Sequence, residues 1–459
     1  MDENCQILLN KILNEKRNCL VSGVAGTGKS TLLKTLVKEL KKIVQKEILQ
    51  VTAPTGVACV NIGNAKTLHT WLGLKLADKP IEFYRDNLYS GNGFGFPTTV
   101  YNLKTTEILI IDEISMVTPH IFNLINQLAK YVKKSREPFG GMVVVMFGDF
   151  CQLEPISTET EEKFVFETKV WDEMNIFRLR LRKIHRQIND DYYKDILNRI
   201  RESKYNFHDI RTLRKRIIRK FNDFNIELDE YNNVKLVPPL LTTHRSRVAE
   251  CNSKNIKLVS KQLKKPIIKF RPKITTKHSA HYRDMGLTPT TYSEDQLKNM
   301  FPVYNVAICE GCQVMMRSNE YISSGICNGS LGIVQTIDTT NRVFVRFQLN
   351  NVLMPAIEIA PYKFKLKING GKIELEQIPL SLSYAISIHK SQSISLDRAY
   401  IDLRRVFADG MSYVALSRVR SLDGLHLIGT FDSRKFKSNP KALEFEKDLE
   451  LLEIKKHLN

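Results

Sequence analysis

The sequence predicts an α/β protein built on doubly wound parallel sheets, and a few stretches carry that prediction. Residues 18 to 60 run as an apolar strand ("NCLVSG"), a glycine loop ("VAGTGKS"), a helix ("TLLKTLVKELKKIV") and a second strand ("EILQVTA"). "EILIID" and "MVVVMFGD" follow as further apolar runs, each ending in acidic residues. Apolar strands that alternate with helices form parallel sheets buried on both faces, with the ligand at the strand C-termini. Near the end of the chain "RAYIDL" and "LHLIGTF" read as strands of a second such unit.

Each element has a local reason. In the first helix Leu32, Leu33, Leu36, Val37 and Leu40 fall at spacings of three and four, while lysines take the other face. The glycine-rich, aromatic stretch "DNLYSGNGFGFPTTVYNL" reads as an inserted hairpin or loop. From about residue 178 the composition turns basic, with "RTLRKRIIRK" and "KLVSKQLKKPIIKFRPKITTKH". Those runs fit either a solvated helix face or a phosphate-tracking surface. Between 318 and 375, "GIVQTID", "RVFVRFQL" and "YKFKLKI" alternate in character and are separated by "NGS", "TTN" and "NGG", the pattern of a small antiparallel barrel. Around residue 385 two readings stay open: Leu382, Tyr384, Ile386 and Ile388 alternate like a strand, whereas Leu382, Ala385, Ile386 and His389 share a helical face.

A chain of 459 residues exceeds the usual size of a single core, and 42% hydrophobic with 26% charged residues is a globular composition. The net charge of +20 favours a polyanionic partner, nucleic acid ahead of an anionic membrane surface. No stretch approaches the ~18 apolar residues of a membrane span. "MDENCQILLN" lacks the basic and apolar regions of a signal peptide, so an intracellular chain, nuclear or cytoplasmic, is expected, and its eight scattered cysteines read as reduced thiols. Cys309 and Cys312 form a CxxC with only Cys327 nearby and no histidine, which suits half-buried thiols better than zinc.

"GVAGTGKS", from Gly23 to Ser30, fits G-x-x-x-x-G-K-[ST] between a strand and a helix. Gly23, Val24, Ala25, Gly26, Thr27, Gly28, Lys29, Ser30 and Thr31 are therefore the candidate nucleotide loop. Its N–H groups wrap the β-phosphate at a helix N-terminus, Lys29 reaches the β- and γ-oxygens and Ser30 ligates magnesium. Gln6 is a candidate reader of the adenine edge. The strand ending in Asp112 places a second magnesium ligand, and Glu113 beside it can polarise the attacking water as general base. Asp149 and Gln152 end the neighbouring strand, where a neutral amide suits a γ-phosphate sensor. ATP and Mg2+ are the expected substrate and cofactor.

A series of motifs then follows in order: "GVAGTGKST", "TAPTGVACVNIGNAKTLHTWLG", "IIDEISMV", "PFGGMVVVMFGDFCQLEP", "LRKIHRQ", "NGSLGIV", "AISIHKSQSISLD" and "YVALSRVRSLDGL". On these the chain resembles the Pif (petite integration frequency) family of superfamily 1B DNA helicases from Gln6 to about Thr430, in a compact form without a long N-terminal extension. The resemblance implies two RecA-like doubly wound parallel-sheet domains with a small wedge insertion (1B) and an SH3-like β-barrel insertion (2B). Domain 1A would span 1–177 with 1B at about 76–104, domain 2A 178–317 and 376–459, and 2B 318–375. It implies an ATP hydrolase that translocates 5′ to 3′ on single-stranded DNA. Its substrates would be forked DNA, RNA–DNA hybrids and G-quadruplex strands, in replication, recombination, repair or telomere maintenance.

By the same resemblance Arg186 in "HRQ" and Arg418 in "ALSR" come from the second domain to grip the γ-phosphate. His389, Lys390, Ser391 and Gln392, read as helical, hold the strand from the second domain, and Pro54, Thr55, Gly56, His69 and Trp71 hold it from the first, with Phe94 also near bases. Polar groups would take phosphates and sugars, and aromatics the bases. Phe94 or Phe96 would be the wedge tip. No membrane partner is implied; a monomer in solution is expected, with a dimer on DNA left open. The competing reading is a nucleotide-gated single-stranded DNA-binding protein that does not unwind, which intact Lys29, Asp112, Glu113, Gln152, Arg186 and Arg418 disfavour. Ser393 stands where glycine is common, His185 where an aromatic is usual and Glu154 where proline is usual. These departures bear on coupling and DNA grip, not on the hydrolytic atoms.

Overall fold

Alternation along the strands divides their side chains between two cores. Cys19, Val21, Ile108, Ile110, Val143, Val145 and Phe147 face one, whereas Leu20, Leu109, Ile111, Val144 and Met146 face the other. The computed structural model describes every residue other than 1, 46, 56–57, 60–61, 63–64, 75–76, 78, 90–95, 156–161, 188–189, 219–233, 279–291, 302, 322–323, 327, 350–351, 369–370, 393 and 458–459. It is a mixed α/β fold with two parallel sheets, and antiparallel strands interrupt the second between Leu240–Thr242 and Ala385–Ser387.

The first sheet comprises β1 (Cys19–Gly23), β2 (Leu49–Ala53), β3 (Lys66–Thr67), β4 (Ile108–Ile111), β5 (Val143–Gly148) and β6 (Phe177–Leu181), in the order β3-β2-β4-β5-β1-β6. Every neighbouring pair is parallel. Helices α1 (Glu3–Leu13) and α2 (Lys29–Ile43) cover one face with Leu8, Ile12, Leu33 and Leu36. The helix Pro119–Lys133 covers the other with Phe122, Ile125 and Leu128. The ends of β4, β5 and β1 therefore lie side by side, and Asp112, Asp149 and the glycine loop emerge together.

The second sheet is also parallel, in the order Ala385–Ser387, Leu240–Thr242, Ala399–Ile401, Leu425–Ile428, Ile217–Ile218. The helical reading of the segment around residue 385 is thus overturned. Ala385–Ser387 is a fully buried strand, and only His389–Ser391 turns, as a single 3-10 turn.

Antiparallel strands run from Gln313–Met316 through Leu331–Ile337, Val343–Leu349 and Ile357–Ile359 to Leu380–Leu382, which is wider than 318–375. The hairpin Tyr362–Ile368 and Gly371–Gln377 takes Lys273–His278 as a third strand. That part of the basic run is therefore an exposed edge strand, not a helix face. Lys277 lies 3.3 Å from Glu374 across this sheet and Lys372 lies 2.6 Å from it along the same strand; lysines are a common protection for an edge strand. Cys309 and Cys312 are fully buried. Among the described residues, no helix is long and apolar enough to cross a membrane.

Two elements differ from expectation elsewhere. The stretch read as a hairpin or loop, residues 86–103, starts at the end of the helix Ile81–Asn87 and runs into the helix Pro97–Thr105, which is started by proline at its first position; residues 90–95 lie outside the described residues. Phe96 packs against Tyr84 and Phe83, with ring centroids 5.5 and 6.4 Å apart, while Phe94 lies outside the described residues. The helix Pro440–His457 follows the second sheet in sequence but buries Ala442, Phe445 and Leu449 in the core of the first. Residues spaced i, i+3 and i+7 make that stripe.

"PFGG" forms a tight, left-handed turn. Phe139 and Gly140 adopt φ of 53° and 62°, which turns the chain so that the Phe139 ring packs 4.9 Å from that of Phe122. The Phe139 N–H donates to Asn126 Oδ1 at 2.8 Å. A Cβ on Gly140 would fall 2.7 Å from the Ala129 carbonyl oxygen. Gly140→Ala should therefore destabilise the protein by about 1–3 kcal/mol in a urea titration, from strain and clash together.

Candidate nucleotide site and nucleic-acid interface

The loop between β1 and α2 is the first half of the site. Lys29, half-buried, donates to the Gly23 and Val24 carbonyls at 2.6 and 3.1 Å, and Thr27 Oγ1 donates to the Val24 carbonyl at 2.9 Å. Burial pulls the Lys29 ammonium below its ordinary pKa, against the opposing pull of Asp149 and Glu113. Asp112 is buried at the end of β4, its N–H bonded to the Thr52 carbonyl at 2.9 Å. Burial, with the neighbouring Glu113 charge, pushes its carboxyl up to about 7. Burial also raises Glu113, and that residue sits in the left-handed region at φ 49° and ψ 47°. Such strain in a non-glycine residue is typical of a side chain held for a task. Ser30 is exposed on the first turn of α2. Ser30 and Asp112 supply hard oxygen donors, the donor type a magnesium ion takes.

Asp149 Oδ2 accepts from Gln152 Nε2 at 3.1 Å and Asp149 Oδ1 from Arg201 Nη2 at 2.8 Å. Burial would raise the Asp149 carboxyl, but Arg201 and Lys29 outweigh it and hold it below the usual range. Gln6 is exposed on α1, and Thr31 continues α2 with its N–H bonded to the Gly28 carbonyl at 3.0 Å.

The second half of the site arrives from the other end of the chain. Arg186 packs on the loop so closely that a Cβ on Gly26 would lie 2.7 Å from Arg186 Cβ, and the His185 N–H donates to the Gly26 carbonyl at 2.8 Å. Arg186 Nε and Nη1 donate to Ser395 Oγ and the Ser417 carbonyl at 2.8 and 3.0 Å. The Ala25 N–H donates to Tyr413 Oη at 3.0 Å. Arg418 is 2% exposed; its Nε donates to the Val414 carbonyl at 2.8 Å, Nη2 to Ser417 Oγ at 2.7 Å, and Nη1 to the Ser391 carbonyl at 3.3 Å. Burial lowers the pKa of Arg186 to about 9 and of Arg418 to about 10, so both guanidiniums keep their charge at neutral pH. All six residues expected to carry hydrolysis thus belong to one region around the loop.

The polar tetrad separates into distinct jobs. Lys390 is exposed, and His389 is half-buried with its ring stacked on Phe407 at 6.3 Å and 23°. Burial and Arg245 lower the pKa of both, with Arg317 adding to the effect on Lys390. Ser391 departs from the expectation: it is 0% exposed, and its hydroxyl donates to the Ile388 carbonyl at 2.7 Å, so it holds the turn instead of facing a strand. Gln392 is half-buried beside it. On the first sheet, Pro54 and Thr55 are half-buried at the end of β2, and the Ala58 N–H donates to Thr55 Oγ1 at 3.3 Å. His69 is half-buried on the helix Leu68–Leu72. Trp71 also departs from expectation, at 0% exposure among Leu68, Leu72 and Leu103, because an indole one turn along an amphipathic helix is drawn into the core. Gly56 and Phe94 lie outside the described residues.

Sequence reasoning missed Phe407, His244 and Arg245. Phe407 is 66% exposed, and the His244 ring meets it edge-on with centroids 6.0 Å apart. The available signal was position: "THRS" follows the strand Leu240–Thr242, next to the strand that leads into the tetrad.

A model of the PIF1-like helicase family matches residues 4–212. Over 96% of its length the chain is 31% identical to ATP-dependent DNA helicase PIF1 of Danio rerio, of which it covers 63%. The structure of Bacteroides sp Pif1 in complex with ADP-AlF4 matches with a TM-score of 0.76 at 28% identity, over 98% of this chain and 97% of that one. Residues 4–212 are thus a PIF1-like helicase domain, and the whole chain is similar to Pif1 helicases. It spans less than two thirds of the Danio rerio relative. Bacteroides Pif1 bound to ssDNA, also 28% identical and matched over 97% of this chain and 96% of that one, gives a TM-score of 0.59. The arrangement seen here is thus nearer that of the ADP-AlF4 complex than that of the ssDNA-bound form.

The carboxylate pair of the site has a measurable cost. Asp112 has a folded pKa near 7 against an ordinary 3.8, so the folded state holds the extra proton and loses stability as pH rises between those values. In chelator-treated protein without nucleotide, Asp112→Asn should melt at a higher temperature than the wild type. The advantage should grow from about pH 4 to pH 7 and then level off, while hydrolysis is abolished.

Proposed function

We propose that this PIF1-like protein is an ATP-dependent DNA helicase that moves 5′ to 3′ on single-stranded DNA. The observation that carries the reading is the position of Arg418. Its guanidinium lies among the nucleotide-site groups and is bonded directly to the turn that bears His389 and Lys390. A residue so placed joins the fate of a phosphate to the grip on a strand.

In this reading the first sheet, with its helices, is the nucleotide-binding half and the second sheet its partner. Lys29 turns from the Gly23 and Val24 carbonyls to the β- and γ-phosphates of ATP. Ser30 and Asp112 would hold Mg2+, which neutralises charge on the phosphate oxygens when bound. Glu113 takes the proton of the attacking water, a role its raised pKa suits. Gln152 bonds the γ-phosphate and the water, and Arg186 and Arg418 stabilise the charge that develops on the transferring phosphoryl. On the strand side Lys390 and Arg245 take phosphates, and Phe407, exposed beside His244 and His389, offers a ring for a base to stack on. Polarity, and the preference for forks, RNA–DNA hybrids and quadruplex strands, rest on the family resemblance. The ssDNA-bound Bacteroides relative supports the partner class.

ATP hydrolysis measured with and without single-stranded DNA tests this directly. Wild-type turnover should rise strongly on DNA and vanish in Lys29→Ala. Lys390→Ala and Phe407→Ala should weaken strand affinity, the latter by about 1–3 kcal/mol if a base stacks on the ring. A forked substrate then reads polarity. Tight DNA binding with background hydrolysis in the wild type would replace the motor with a nucleotide-gated binder.

A further inference from the structure

The loop that carries Gln152 is enclosed by parts of the chain far away in sequence. Arg201, 2% exposed at the end of the helix Asp191–Arg201, donates from Nη2 to Asp149 Oδ1 at 2.8 Å, with Nε 3.3 and 3.4 Å from the two Asp149 oxygens. The same Nη2 lies 3.0 Å from Glu446 Oε2, on the C-terminal helix, and Glu446 is 5% exposed. Asp149 in turn bonds the Gln152 side chain and the Cys151 N–H, at 3.1 and 3.2 Å. A buried arginine therefore spans the sensor loop and the C-terminal helix through two carboxylates.

The surroundings reinforce this connection. Ser438 Oγ donates to the Cys151 carbonyl at 3.2 Å, and Asn439 Nδ2 donates to Glu154 Oε1 at 2.8 Å. A methyl group on Gly410 would overlap the Gln152 carbonyl. Phe445, next to Glu446, stacks on Phe166 at 4.3 Å and 8° and meets Phe150 edge-on at 5.2 Å. The helix is thus seated on the same unit whose loop its glutamate reaches. Burial works against the Arg201 charge, but Asp149, Cys151 and Glu446 outweigh it and raise its pKa well above the ordinary value. Removing one partner of such a buried group costs stability; Arg180, 3.8 Å from Glu446, is a second and more distant cation there.

We propose that Arg201 is a positioning residue for hydrolysis: through Asp149 it fixes the Gln152 amide, and through Glu446 it makes that placement depend on the docked C-terminal helix. The proposal rests on the reading of Gln152 as the γ-phosphate sensor. Neither Arg201 nor Glu446 touches the reacting atoms. Their effect lies in the orientation of a group that does, and small misplacements of such groups lower turnover more than binding.

The test uses the full chain with Glu446→Gln, which keeps shape and removes the charge, and Arg201→Lys, which can satisfy only one carboxylate well. DNA-stimulated kcat should fall on the order of tenfold in each, with the KM for ATP and the affinity for single-stranded DNA within about twofold of wild type. Affinity for ADP alone should hold, while affinity for ADP with aluminium fluoride, a mimic of the transferring phosphoryl, falls in step with kcat. Loss of ADP and ADP–aluminium fluoride binding together would mark a merely structural role and overturn the proposal. So would wild-type kcat in Glu446→Gln, whose folding is the less challenged of the two. A wild type without DNA-stimulated hydrolysis would instead overturn the motor reading itself.

Discussion

A buried cation held by neutral acceptors is the constraint around which this molecule is organised. The Arg418 guanidinium is 2% exposed, and its hydrogen bonds go to two carbonyls and a hydroxyl. Taking a charge out of water without a bonded counter-charge is costly, and the fields of Glu113 and Asp149 offset only part of it. A phosphate in the cleft would complete the balance. One of the Arg418 bonds reaches the Ser391 carbonyl in the turn that bears His389 and Lys390.

The fold makes that placement possible. Two parallel sheets each present side chains at their strand C-termini. β4, β5 and the glycine loop supply carboxylates and amides, and the second sheet supplies the turn after Ala385–Ser387. Contacts such as Tyr413 with Ala25 and Arg186 with Gly26 bring the second half onto the loop. The C-terminal helix then crosses back and seats Phe445 in the aromatic cluster of the first unit. In the proposed reading, these few buried contacts are what join the nucleotide loop to the turn that bears His389 and Lys390.

Much of this was legible in the residues. The Walker loop, Asp112 and Glu113, and the strand ending in Asp149 announce themselves, because a buried parallel strand that ends in a carboxylate delivers that charge to the ligand-facing edge of the sheet. Other features depended on contacts between distant segments. Trp71 reads as a base-stacking aromatic until the helix Pro97–Thr105 is seen to cover it, with Asn102 Nδ2 donating to its carbonyl. Ser391 sits in a polar tetrad, yet its hydroxyl closes a local turn. Lys273–His278 carries a basic composition with no visible partner in sequence, and its register against Gly371–Gln377 is a long-range pairing. Phe407 lies between a strand and a helix, and only the fold brings His244 and His389 beside it. Arg201 looks like one more surface arginine in a chain of net charge +20, and its two carboxylate partners are supplied by other elements.

Communication between nucleotide and strand through Arg418 is read most directly as a binding linkage. The affinity for single-stranded DNA is measured with and without ADP–aluminium fluoride, in the wild type and in Arg418→Lys, because coupling between two ligands is a reciprocal free energy. The wild type should show an affinity that shifts several-fold with nucleotide, on the order of 1–3 kcal/mol. Arg418→Lys should still bind DNA, with that shift reduced to about nothing. A lysine variant whose DNA affinity responds to nucleotide as fully as the wild type would rule out Arg418 as the link.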